Sequence, residues 1–119
     1  MSTIKQSMDE LLTCDGAMCA ALVDAGSGMI LGQAGSGIDL EIAAAGNTEV
    51  VRAKMKTMRE LGLNDVIEDM LITLGKQYHI LRPMARKEGL FIYLVLDKSK
   101  SNLALARRKV ADIEKELTV

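Results

Sequence analysis

The chain has 119 residues, 49% apolar and 26% charged, with a formal net charge of -1, which suffices to bury one core and hardly two, so a single globular domain spanning 1–119 is expected. Acidic and basic residues are interspersed, leaving no electrostatic footprint for nucleic acid. No apolar run approaches the ~18 to 20 residues of a membrane span, and the start MSTIKQSMDELL lacks an apolar h-region, so a cytoplasmic location is expected, with Cys14 and Cys19 as reduced packing residues.

Thr3 followed by Gln6 fits a capping box, and Ile4, Met8, Leu11 and Leu12 recur on one face of a short helix that Cys14, Asp15 and Gly16 end. Ala17 to Asp24 reads as an inner strand whose small residues let neighbouring layers approach closely. Ala25 to Gly28 make a turn, and Met29 to Ala34 return as a shorter second arm. After Gly35, Ser36 and Gly37, Asp39 is a plausible N-cap for a helix that runs to Leu61 before Gly62, about 33 Å long.

That helix has two apolar flanks. Leu40, Ala44, Val51, Met55 and Met58 form a bulky one suited to a sheet, and Ala43, Gly46, Val50, Ala53, Thr57 and Leu61 form one with small residues. Glu41, Thr48, Glu49, Arg52, Lys56, Arg59 and Glu60 are left to the polar face. The apolar arc exceeds the ~100° that one sheet contact requires, so a second helix or covering loops must meet the second flank.

Asn64 and Asp65 turn into an expected strand from Val66 to Leu74. Its adjacent Glu68 and Asp69 point to opposite faces, as befits an edge. Gly75 to Gln77 turn into Tyr78 to Pro83, and Arg86 to Gly89 into Leu90–Leu96, seven apolar residues whose alternate faces both need cover. A buried helical piece is the other reading of those seven, but aromatic and β-branched content favours strand. Asp97 to Ser101 are expected to cap a last helix with the seam Leu103, Ala106, Val110, Ile113 and Leu117, its solvated face carrying Arg107, Arg108, Lys109, Asp112, Glu114, Lys115 and Glu116.

A hairpin followed by a meander, in place of repeated βαβ units, predicts an α/β fold of the α+β kind with an antiparallel five-stranded sheet. The doubly buried fifth strand is central, which gives the order 2-1-5-4-3. The long helix covers one face and the N- and C-terminal helices the other.

Catalytic signals are missing. Gly26 and Gly28 open like a dinucleotide fingerprint, but its sixth position is Leu31 and the glycines lie in a hairpin. No GxxxxGK[ST] is present. His79 lacks an HExxH, HxH or CxxC context and reads as structural. No nucleophile, base and orienter set stands out, so neither an enzyme nor a cofactor is expected. The eight methionines read mainly as core, with an adaptable pocket as the alternative.

The order of elements, the hairpin CAALVDAGSGMILG, the alanine-rich helix after it and FIYLVLDKSKSNLALARRKV resemble a Roadblock/LC7 domain over about Met8 to Leu117. The resemblance implies a homodimer or heterodimer in which the long helices pack together and the third strands pair. It also implies a small Ras-like GTPase partner, whose nucleotide state such dimers regulate or whose location they fix, as in the MglB group, and roles as dynein-associated adaptors. MglB-like regulators tend to carry a helical extension beyond the last helix, and this sequence ends at Val119, so the resemblance bears on GTPase binding more than on activation. The expected self-contact comprises Ala43, Gly46, Val50 and Ala53 of the long helix with Glu68, Met70 and Ile72 of the edge strand. Glu49, Arg52, Lys56 and Arg59 are the expected GTPase-docking residues; an ordinary solvated helix face is the alternative. A small-molecule sensing module of the PAS or GAF kind, with a methionine-rich pocket, is the second function class that fits.

Overall fold

The computed structural model describes residues 3–85, 87 and 89–118, and the turn expected at 86–89 falls partly outside them. The elements in chain order are α1 (Ile4–Leu11), β1 (Ala17–Asp24), β2 (Met29–Gly35), α2 (Leu40–Glu60), β3 (Met70–Thr73), β4 (Gln77–Pro83), β5 (Leu90–Asp97) and α3 (Leu103–Glu116). The sheet runs β2-β1-β5-β4-β3, as predicted, with every pairing antiparallel.

β5 lies between β1 and β4, with Leu94 opposite Ala20 on one side and Ile80 on the other. Its alternation splits the core in two. Ile92, Leu94 and Leu96 join Met8, Leu11, Val110 and Ile113 beneath α1 and α3. Phe91, Tyr93 and Val95 join Cys19, Val23, Leu40 and Val51 beneath α2. At roughly 1.5 to 3 kcal/mol per fully buried large apolar side chain, this strand is the largest local source of stability.

Local chemistry sets the boundaries. The Thr3–Gln6 capping box forms, with Gln6 N–H donating to Thr3 Oγ1 at 3.2 Å and Thr3 N–H to Gln6 Oε1 at 3.0 Å. Asp39 caps α2 through bonds from the amides of Glu41 and Ile42. Gly35 leaves β2 at φ 81°, and a Cβ there would lie 2.3 Å from the Met18 carbonyl oxygen, so only glycine fits.

The structure corrects several expectations. β3 spans only Met70–Thr73, and 63–69 are irregular, because the Arg107 guanidinium holds Asp69 with two bonds of 2.9 and 3.0 Å and draws the chain towards α3 ahead of the strand. Glu68 therefore lies outside the strand, and Arg107 is not merely solvated. α3 is capped by Asn102, not by 97–101; Asp97 instead holds the amide and hydroxyl of Ser99, which keep its carboxyl below the usual range. Thr48 is buried, not on the polar face, its hydroxyl satisfied by the Ala44 carbonyl at 2.7 Å. Glu114 is buried too, not solvated, since it accepts from Arg82 Nε at 2.6 Å and the Ala85 amide at 2.7 Å. Finally, Met55 is 36% exposed and Met58 only half-buried: the buried residues of α2 end at Val51, so its last nine residues, about 13 Å, overhang the sheet.

Candidate interaction surface

α2 crosses its face of the sheet over β1 and β2 and reaches β4 only at its margin. An open groove remains beside it, about 480 Å³ in volume, walled by Ile42, Ala43, Gly46, Asn47 and Val50 and floored by His79 and Tyr93. Ala43, Gly46 and Val50 of the wall belong to the second flank expected from the sequence, and Ile42 and Asn47 join them. Gly46 has open space where a Cβ would be, and Ile42 is 72% and Val50 41% exposed. Ala43 is half-buried and Ala53, further along the same flank, is exposed. Leu61, Leu63 and Val66 continue the apolar surface beyond the helix.

On the far side lies β3, which pairs with β4 on one edge, with no strand on its other edge among the described residues. Met70 and Ile72 turn towards the α2 side and are half-buried, while Leu71 faces the other way, exposed. The structure thus brings Ala43, Gly46 and Val50 together at the groove and puts Met70 and Ile72 on the neighbouring edge, next to His79 through the Ile72–His79 register. Glu68, by contrast, is exposed in the irregular segment before β3.

Glu49, Arg52, Lys56 and Arg59 are all exposed on the polar face of α2, where Lys56 pairs loosely with Glu60 at 3.8 Å. With Lys54 among them, the overhanging half of the helix carries more basic than acidic charge.

The groove floor holds polar groups that the sequence reading passed over. Tyr93 is fully buried, and its hydroxyl lies 2.9 Å from His79 Nδ1, with Asn47 of α2 lining the same groove. His79 Nε2 meets Gln77 Oε1 at 2.8 Å, and Gln77 Nε2 approaches Met18 Sδ at 3.8 Å. Burial pushes the Tyr93 hydroxyl up to about 12, only partly offset by Asn47, and lowers the His79 pKa. A usable signal existed: a tyrosine on a doubly buried strand needs a partner for its hydroxyl, and strand alternation puts His79 and Leu81 on one face.

A larger and more enclosed hollow, about 540 Å³, lies at the sheet end between Gly75–Gln77 and Asp97–Ser99, with Lys98 over the Tyr78 ring at 5.8 Å. The methionines do not gather round one cavity: Met8 and Met84 lie in the α1–α3 core, Met70 packs on the other, and Met29 and Met55 are exposed.

No family model matches the sequence, and no curated protein matches it. Solved structures do match in three dimensions. A Roadblock/LC7 domain from Streptomyces avermitilis superposes with a TM-score of 0.82 at 14% identity, covering 97% of this chain and 94% of its own. MglB from Myxococcus xanthus gives 0.82 at 20% identity, over 95% and 89%. An MglB structure described as a tetrameric arrangement gives 0.70 at 20%, over 93% and 87%. The chain has the Roadblock/LC7 fold.

Proposed function

We propose that this protein is a non-catalytic, dimeric regulator or scaffold for a small Ras-like GTPase, acting in the cytoplasm. The observation that carries the reading is the overhanging α2, whose small-residue flank borders an open groove next to an unpaired edge strand. A long helix with exposed Ile42 and Val50, followed by exposed Leu61, leaves large apolar side chains in water, and apolar surface of this kind can mark interaction sites when it is contiguous. The same flank of a second copy, with Gly46 permitting close approach, would cover it in an isologous contact. Pairing β3 with its copy would satisfy the edge and join two sheets.

Support for self-association also comes from the MglB structure described as tetrameric, and the resemblance to MglB-like domains is what suggests a GTPase. In a dimer, Glu49, Arg52, Lys56 and Arg59 of two α2 helices would stand on one platform, and a mobile, acidic switch region is a partner such a surface fits. The chemistry in the groove is that of contact, with neutral hydrogen-bonding groups beneath apolar walls.

The test has two arms. Sedimentation velocity of the purified protein at low micromolar concentration is expected to give a dimer, and capture of GTPases loaded with GDP or a GTP analogue is expected to favour one nucleotide state. A monomer throughout, or capture of none in either state, overturns the reading.

A further inference from the structure

The polar groups under the groove form a chain with a defined direction. The Gln77 amide nitrogen faces Met18 Sδ, so its oxygen faces His79 Nε2. An oxygen there can only accept, which puts the ring proton on Nε2 and leaves Nδ1 an acceptor. The Tyr93 hydroxyl must then donate to Nδ1. The neutral imidazole is built into this order. A proton on Nδ1 would confront the Tyr93 proton and force round the hydroxyl that lies in the groove beside α2.

The surroundings offer that proton little compensation. From β3, Ile72 stands opposite His79; from β5, Val95 stands opposite and Tyr93 edges the ring at 79°. β4 contributes neutral Gln77 and Leu81 on the same face. From α2 the lining residues are neutral except Asp39 at the rim, whose carboxylate already accepts from two helix amides. β1 contributes Cys19, whose thiol burial pushes up and keeps protonated. The groove mouth gives the ring access to water, and a second apolar flank would close it.

We propose that the Tyr93–His79–Gln77 chain on the groove floor is a proton-sensitive latch on self-association, with protonation of His79 weakening the dimer. The proposal rests on the dimer reading above. Burial already lowers the His79 pKa from its ordinary 6.5, and closing the groove would lower it further. The dimer therefore keeps its full affinity above that ordinary value and loses it as pH falls, by up to ~10-fold per unit for each protomer and ~100-fold for two. His79 is the sole histidine of the sequence, so a transition in this window has one side chain to assign it to.

Dimer dissociation constants measured by sedimentation between about pH 7.5 and about pH 5.5 are expected to rise on acidification, by up to ~100-fold, with far-UV circular dichroism unchanged. His79→Gln, which cannot titrate, is expected to flatten the profile whatever its own affinity. The Cε1–H resonance of the single histidine is expected to titrate at lower pH in concentrated, dimeric protein than at dilution. A wild-type dimer with one affinity across the range, or an undiminished pH dependence in His79→Gln, overturns the latch and leaves the dimer intact. A monomer at all these pH values overturns both.

Discussion

Glu114 is 6% exposed and accepts bonds from Arg82 and the Ala85 amide, so a single carboxylate ties the end of β4 and the chain after it to α3. Removing it strands a guanidinium that is only 21% exposed. Glu114→Ala is expected to destabilise the protein by about 2 to 4 kcal/mol, read as a lower urea midpoint, with Glu114→Gln losing less because it still accepts hydrogen bonds. An unchanged midpoint for Glu114→Ala would mean the pair is not a clamp. Both polar residues misassigned from the sequence carried a readable signal. Glu114 follows Val110 by four and precedes Leu117 by three, and Thr48 follows Ala44 by four and precedes Val51 by three, so each stands on an apolar seam. Their side-chain chemistry masked their position. What the sequence could not supply is the identity of their partners, since Arg82 is 32 residues from Glu114 and such pairings depend on where α3 crosses the sheet.

At the scale of elements, α2 sets up a contrast between the protomer and its assembly. Gly46 sits mid-helix with open space at the point a Cβ would occupy, so a side chain there has room to begin within its own chain. Gly46→Leu should therefore raise helix propensity by roughly 0.5 to 1 kcal/mol, while overpacking an α2–α2 contact at a cost of roughly 1 to 3 kcal/mol. The expected outcome is a protein at least as resistant to urea at low concentration but shifted to monomer in sedimentation. If Gly46→Leu remains as dimeric as wild type, this flank is not the contact. The two flanks of α2 were legible because 100° spacing alone separates them. The length of β3 was not, because Val66–Leu74 has strand-like composition while an ion pair between Asp69 and Arg107 ends the irregular segment just before Met70. That contact is 38 residues long in sequence, and propensity has no access to it.

For the whole molecule, the strand order followed from one requirement, that a strand apolar on both faces be flanked on both sides, and the two cores on β5 meet it. The same reasoning could not locate the groove, which depends on α2 lying off-centre over β1 and β2. Placement of the proposed GTPase surface is a question of charge at this scale as well. The net charge is only -1, so no global field steers a partner, and any steering must come from local asymmetry. The overhanging half of α2 supplies one: Arg52, Lys54, Lys56 and Arg59 outnumber Glu49 and Glu60, and all are exposed. Exposed pairs such as Lys56–Glu60 contribute little to stability, so these charges are free to be changed without unfolding the protein. Reversing two of them, Arg52→Glu with Lys56→Glu, should alter stability by less than about 1 kcal/mol and leave the dimer intact, since neither lies on the Ala43–Gly46–Val50 flank. Rim charges act chiefly on association rate and its salt dependence, whereas buried contacts govern dissociation. The double variant is therefore expected to slow stopped-flow association with a cognate GTPase by ~10-fold at low ionic strength, with the difference shrinking as salt screens it. Association indifferent to the reversal at every ionic strength would move the docking surface off α2. A loss confined to the dissociation rate would instead place these residues inside a desolvated contact, where the apolar flank and not the basic face would do the steering.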